Sequence, residues 1–251
     1  MKIKFVTLNI WEWGRLIDNI VSFIKKENPD IIAMQEVYDG KDPSFDKNFR
    51  SVEEFGKNLD YPYYFFAAAL LDTRSIGDIE KGNAIFSKFP IVEKDVAFFD
   101  IPYGKFNEEK ATSWEFEPRN MIHAGVNVKR SMIDVFNVHG IWGENGRDNK
   151  RRLKMGNIIV EKVKNKENVI LAGDFNILPN TETIQNIEKY LANVFKNDLT
   201  SSFNMKHKDK AGYATSVVDM IFVSHNIKVL DYYCPRVDLS DHLPLVCILD
   251  I

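Results

Sequence analysis

The chain has 251 residues, 45% hydrophobic and 27% charged, which at roughly 150 residues per domain allows one large domain or two small ones with a core that needs no staples. A total of 33 basic against 36 acidic side chains leaves a net charge of -3, which excludes attachment to nucleic acid through a general basic coat but not through a local groove. The 2 cysteines, Cys234 and Cys247, are too few for a disulfide-framework domain and sit among strand-like apolar residues, as buried free thiols do.

The first residues, Met1–Asn9, contain no long apolar core and no small-residue cleavage site, so no signal peptide is expected. No apolar run approaches the ~20 residues that span a bilayer, and a cytoplasmic, membrane-free protein is the expectation. Ile3–Ile10 reads as a strand. Leu16, Ile17, Ile20, Val21, Phe23 and Ile24 then recur at helical spacing, and Asn28-Pro29-Asp30 stops that helix. Ile31–Val37 is almost unbroken apolar sequence, as in a strand buried on both faces. A short helix over 51–59 precedes strands at 64–71, 83–87, 91–99, 121–128 and 132–138. Residues 147–164 form a basic amphipathic helix with Leu153, Met155, Ile159, Val160 and Val163 on its apolar side. A strand at 168–174, a helix at 183–191 and strands at 217–223, 227–232 and 245–249 complete the chain. Hairpin-like pairs mixed with strand–helix–strand units predict an α/β fold with mixed sheets. So many strands are best housed in two face-to-face sheets with helices outside, all within a single domain over residues 1–251.

Polar residues cluster where these apolar strands end, the places where loops leave a rigid scaffold and sites are built. Asn9 closes the first strand. Glu36 lies inside an apolar strand, where a charge has to be paired, hydrogen-bonded or bound to a cation. His139 falls just past a strand. Asp174 and Asn176, two apart, share a face if their strand continues. Asp241 and His242 are adjacent, so a carboxylate can reach a cation while the imidazole faces substrate. Asp219 stands at another strand start. Each cluster alone has an ordinary structural reading as a turn, a salt bridge or a core histidine.

Their order is more specific. Thr7-Leu8-Asn9, Gln35-Glu36-Val37, Gly82–Ser87, Asn137-Val138-His139, Gly173-Asp174-Phe175-Asn176, Val218–Phe222 and Ser240-Asp241-His242 together resemble the endonuclease/exonuclease/phosphatase superfamily, along essentially the whole chain. That superfamily of metal-dependent phosphoesterases includes deoxyribonuclease I, abasic-site endonucleases, neutral sphingomyelinases, deadenylases, inositol-polyphosphate 5-phosphatases and tyrosyl-DNA phosphodiesterase 2. The resemblance implies a four-layered α/β/β/α sandwich of two mixed sheets with flanking helices and a site at one rim. It implies Glu36 as the main metal ligand, helped by Asn9 and by Asp241 through water, with Mg²⁺ or Mn²⁺ suited to such hard oxygen donors. His242 oriented by Asp219 resembles the family's general base, Asp174 positions or activates water, and Asn176 and His139 hold phosphoryl oxygens.

The chain departs from relatives that carry aspartate two residues after the first-strand asparagine, because that place is Trp11. Arg119, in Pro118-Arg119-Asn120, reads as a phosphate fork or a surface residue. Trp11 and Trp142 flank the expected site and could stack on a base or a tyrosyl group. Arg147, Lys150, Arg151, Arg152 and Lys154 read as a backbone-tracking patch or a solvated helix face. The expected function is that of a monomeric, metal-dependent phosphodiesterase or nuclease on nucleic acid or an adduct such as a 5′-tyrosyl-DNA phosphodiester. The alternatives are a phosphomonoesterase or phospholipase on inositol phosphate or sphingomyelin, and an inactive binding module on the same scaffold.

Overall fold

The computed structural model describes residues 1–129 and 131–251. Strand β1 (Lys2–Asn9) leads through α1 (Ile17–Glu27) to β2 (Ile31–Tyr38). Helix α2 (Ser51–Asn58), β3 (Tyr63–Arg74), β4 (Gly77–Ser87), β5 (Ile91–Phe98) and the two-residue β6 (Lys105–Phe106) follow. Then come β7 (Asn120–Val128), β8 (Ser131–His139), α3 (Lys150–Val163), β9 (Val169–Asp174), α4 (Glu182–Glu188) and β10 (Ala192–Asn193). Strands β11 (Asp219–Val223), β12 (Lys228–Tyr233) and β13 (Leu245–Asp250) end the chain.

One sheet of seven strands runs β12-β13-β1-β2-β4-β3-β6, and one of six runs β10-β11-β9-β8-β7-β5. Both are mixed: β1 is parallel to β2 and β8 to β9, while most other neighbours are antiparallel. Three apolar clusters define four layers. Ile3, Phe5, Ala33, Ile122, Val135, Ala172 and Leu245 fill the space between the sheets. Ile20, Ile24, Phe55 and Phe86 bind α1 and α2 to the first sheet. Met155, Ile159, Ile184, Phe136 and Leu171 bind α3 and α4 to the second. Successive strand residues point to opposite faces, so each central strand feeds two of these clusters. The expected four-layered α/β sandwich is therefore present.

Boundaries differ in instructive ways. The strands expected at 64–71 and 83–87 are one long hairpin, β3–β4, paired from Tyr63↔Ser87 to Arg74↔Gly77 with one register shift between Ala68 and Leu70. Asp72, Arg74 and Lys81 concealed it, because charged residues in a strand read as loop. They are buried here in an ion network described below. Helix α1 ends as expected: Asn28 takes the left-handed conformation, φ 48°, ahead of Pro29. The cysteines are unpaired, but only Cys247 is buried and Cys234 is half-buried. Among the described residues no helix is long and apolar enough to cross a membrane.

The basic helix face needs correction. Arg152 is buried and donates to the carbonyls of Ile141, Arg147, Gly143 and Asn176, so it staples the loop after β8 to the loop after β9. Arg151 is paired with Asp100. Of the five basic residues, Arg147, Lys150 and Lys154 remain exposed.

Candidate active site

The chain reaches the rim of the sandwich at Asn9, Glu36, His139 and Asp174, the ends of β1, β2, β8 and β9. Parallel pairing of β1 with β2 and of β8 with β9 puts those ends side by side. Beneath them the sheets are joined by polar bonds: Gln35 Nε2 donates to Asn137 Oδ1 at 2.6 Å, and Asn83 Nδ2 donates to Asn120 Oδ1 at 2.8 Å. The donor sides of both amides are paired in this way, because a buried donor left unmatched costs roughly 1–3 kcal/mol.

Glu36 owes its position to a bulge. The β2–β4 register slips between Met34 and Val37, and Glu36 adopts φ 62°, unusual for a non-glycine residue. The slip turns the carboxylate out of the sheet. Its Oε1 accepts from Asn9 Nδ2 at 3.1 Å and its Oε2 from the Glu12 backbone N–H at 2.5 Å. Glu12 sits in a turn where Trp11, Glu12 and Trp13 all have positive φ (59°, 36° and 55°), with Asn9 Oδ1 accepting from Trp11 N–H at 3.0 Å. Three successive non-glycine residues in this region are costly, and such strain persists only where surroundings fix it.

Asp174 is the hub. Its Oδ2 accepts from the same Asn9 amide at 3.1 Å and lies 3.7 Å from His139 Nε2 and 3.9 Å from His242 Nε2. Its Oδ1 accepts from Asn176 N–H at 2.8 Å, and Asn176 Nδ2 donates to the Gly140 carbonyl at 3.2 Å. Burial, with the Asp219 charge assisting and His242 opposing, pushes the Asp174 carboxyl up to about 6. His242 Nδ1 lies 2.8 Å from Asp219 Oδ2. Burial disfavours its charged form, but Asp219, Asp241 and Asp174 outweigh that and push it up to about 10. His139 is held well below its ordinary value by burial and by the adjacent Arg119 cation, so this second imidazole is neutral.

Glu36, Asn9, His139, Asp174, Asn176, Asp219 and His242 are thus brought together. Arg119 joins them: it is buried, with Nη1 2.6 Å from His139 Nδ1, and is not a surface residue. Trp11 borders the site, its ring 4.7 Å from that of His207. Trp142 instead packs edge-on against Trp114 at 5.9 Å. Asp241 is drawn to Lys208, 2.5 Å from Nζ, and to Ser240 Oγ at 3.2 Å. Lys208, Lys81 and Glu117 escaped the sequence reading. Lys208 lies in a polar loop without strand or helix periodicity, while Lys81 and Glu117 gave only the faint signal of charges beside Gly82-Asn83 and Pro118-Arg119.

The donor set around Glu36 is of hard oxygens, with two carboxylates, Glu36 and Asp174, facing each other across one neutral amide. That fits an ion such as Mg²⁺ or Mn²⁺. A second grouping, Asp174, Asp219 and His242, brings three ligand atoms within 4.8 Å of one another, although Asp219 and His242 already satisfy each other.

The model of the Endonuclease/Exonuclease/phosphatase family matches residues 6–242. The chain belongs to that family. Phosphoester hydrolysis is the family's chemistry, and the site residues of this endonuclease/exonuclease/phosphatase domain stand within or beside the matched span. No curated protein matches the sequence. Among solved structures, the chain is similar to an endonuclease/exonuclease/phosphatase from Beutenbergia cavernae DSM 12333, at 20% identity and TM-score 0.74, covering 99% of this chain and 71% of that one. It is similar to the mannosyl-6-phosphatase of Bacteroides thetaiotaomicron VPI-5482, at 19% identity and TM-score 0.74, covering 99% and 100%. It is also similar to D. rerio TDP2 solved with a single-strand DNA product, at 15% identity and TM-score 0.71, covering 100% and 99%. At these identities the likeness is one of fold.

Proposed function

We propose that the protein is a Mg²⁺-dependent phosphodiesterase, with Mn²⁺ as a substitute, acting on nucleic acid or an adduct on it. The observation that carries this reading is the arrangement about Asp174 Oδ2, which shares the Asn9 amide with Glu36 and faces both His139 and His242. Glu36 and Asn9 would hold the cation, with Asp241 acting from behind Lys208. When bound, the ion supplies positive charge against the phosphoryl and leaving oxygens.

The chain's own groups supply the rest. Asp174, raised toward neutrality and fixed by two donors, orients the attacking water and takes its proton. His242 is kept protonated by Asp219 and faces the developing charge as a donor, which favours Asp174 over His242 as the base. Neutral His139 and the Asn176 amide contact non-bridging oxygens, and Arg119 adds a guanidinium beside His139.

Room for a substrate larger than a single phosphate group comes from a cavity of about 890 Å³ lined by Leu178, Asn180, Asn193, Lys196, Thr215 and Val217. Its lining residues Leu178 and Val217 stand two positions along the chain from Asn176 and Asp219. Trp11, bonded through its backbone N–H to Asn9 and with His207 against its ring, offers a ring beside Asn9 for a base or an aryl leaving group.

The test is a panel of bis-p-nitrophenyl phosphate, single-stranded and 5′-tyrosyl oligonucleotides, sugar phosphates and sphingomyelin, each with Mg²⁺, Mn²⁺ or chelator. Metal-dependent cleavage of the diesters, abolished in Glu36→Gln, is expected. Turnover of monoesters alone would replace the reading with a phosphatase, and no turnover of any substrate would end it.

A further inference from the structure

The flank of the site holds a buried chain of six charges, of which the mechanism above uses only the last, Arg119. Arg74 bonds Asp72 and also Glu108 at 3.1 Å; Glu108 bonds Lys81; Lys81 bonds Glu117 at 2.9 Å; Glu117 bonds Arg119. All six side chains are at most 8% exposed. At one end Arg74 lies 4.3 Å over the Trp13 ring, and at the other Arg119 meets His139. Taking six charges from water costs several kcal/mol per ion, and apolar replacements of such networks are often at least as stable. Stability is therefore a weak reason for the network, and its direction supplies a better one.

Arg119 ends it with one donor unused. Its Nη2 is held by Glu117 and its Nη1 by His139, yet the buried Nε has no hydrogen-bond partner among the described residues. A buried guanidinium N–H without an acceptor among the described residues, in a side chain bonded to a group expected to hold phosphoryl oxygens, is a donor suited to an anionic oxygen. Glu117 is the only carboxylate bonded to this guanidinium among the described residues, and Lys81 fixes Glu117 from the far side.

We propose that Glu117 is a positioning residue: anchored by Lys81, which Glu108 holds in turn, it keeps Arg119 so that Nε–H meets a phosphoryl oxygen of the substrate. This rests on the phosphoesterase reading. Glu117 touches no reacting atom. Its contribution is the orientation of a long side chain that would otherwise be spread over many rotamers.

The experiment compares the full-length wild type with Glu117→Gln and Arg119→Lys. It measures inorganic phosphate binding by calorimetry with Mn²⁺ present, Mn²⁺ affinity alone, and kcat and KM on bis-p-nitrophenyl phosphate. Glu117→Gln is expected to weaken phosphate binding and raise KM about 10- to 100-fold, the loss of one charge-assisted contact, with Mn²⁺ affinity unchanged. Arg119→Lys, which keeps the charge but lacks Nε–H, is expected to show the same weakening, and the double variant no more than either single one. Wild-type phosphate affinity in Arg119→Lys overturns the proposal even if Glu117→Gln does not fold. Equally, independent losses that multiply in the double variant overturn it. If the wild type neither binds phosphate nor turns over any ester, the hydrolase reading falls with it; if it does both and the variants match it, only the role of Glu117 falls.

Discussion

Asp219 never needs to touch substrate to matter. Its carboxylate, 2.8 Å from His242 Nδ1, fixes the ring and stabilises its cation inside a buried site. Asp219→Asn keeps the shape and removes the charge, so kcat should fall roughly 10²–10⁴-fold while Mn²⁺ affinity at Glu36 is retained, measured by steady-state kinetics and calorimetry. Equal loss of metal binding would show that Asp219 is a ligand instead. Glu117 yields a pH dependence. Burial, opposed by Arg119 and Lys81 and assisted by Glu108, pushes its carboxyl up to about 7. Ionised Glu117 grips Arg119, and its protonation below that value releases the grip. KM should therefore rise about tenfold as pH falls through about 7 in the wild type and stay level in Glu117→Gln. At this scale the sequence was partly legible. Glu36, Asp174 and His242 announce themselves as charges at apolar strand ends, whereas Lys81 and Glu117 are legible only from the partners that bury them.

The strand ends also explain why backbone, as much as side chains, builds the site. Glu36 projects because β2 bulges, and Asp174 is placed by the close passage of β9 beside β8. Gly173, φ 138°, makes that passage: a Cβ there would lie 2.1 Å from the Val138 carbonyl oxygen. Gly173→Ala combines a forbidden backbone with a collision against backbone and should cost at least about 2–3 kcal/mol, seen as a lowered thermal midpoint. Gly56 is the control. It lies exposed within α2 with nothing within 4 Å of a Cβ, so Gly56→Ala should gain about 0.5–1 kcal/mol by helix propensity. The same midpoint for both variants would refute the distinction. Helix α1 and strands β1, β2, β8 and β9 could be read from apolar periodicity, because their pattern is set by burial on one or two faces. The bulge and the left-handed Trp11–Trp13 turn could not, since non-glycine residues take the left-handed positions themselves and tertiary bonds to Glu36 and Asn9 hold them in place.

For the whole molecule, the two sheets bring residues from position 9 to position 242 to one rim, and that arrangement was readable because motif order along the chain mirrors strand ends in space. Its cost is electrostatic. His242, Glu117 and Asp174 all bind a proton more tightly when folded, at about 10, about 7 and about 6, than their ordinary values of 6.5, 4.5 and 3.8. Through these three groups the folded state holds more protons than the unfolded one from about pH 4 to pH 10, so their combined contribution to the stability slope with pH is negative, opposed below about 6.5 by neutral His139. His242's contribution is fully present below about 6.5 and disappears as pH rises to about 10. The penalties for ionising Asp174 and Glu117 set in between their unfolded and folded values and persist above. Carboxylates held low by cations, such as Glu108 at about 2, act in the opposite sense and weaken the fold only in stronger acid. Metal-free protein should therefore melt at a higher temperature near pH 5.5 than near pH 8.5, by at least the ~2–4 °C that 1 kcal/mol gives in a domain of this size. His242→Gln should flatten the curve above about pH 6.5, and Glu117→Gln between about 4.5 and 7. A midpoint that climbs from pH 6 to pH 9 in the wild type would contradict the buried cation at His242. Added Mn²⁺ should raise the midpoint most at the alkaline end, where fewer protons compete for the carboxylates.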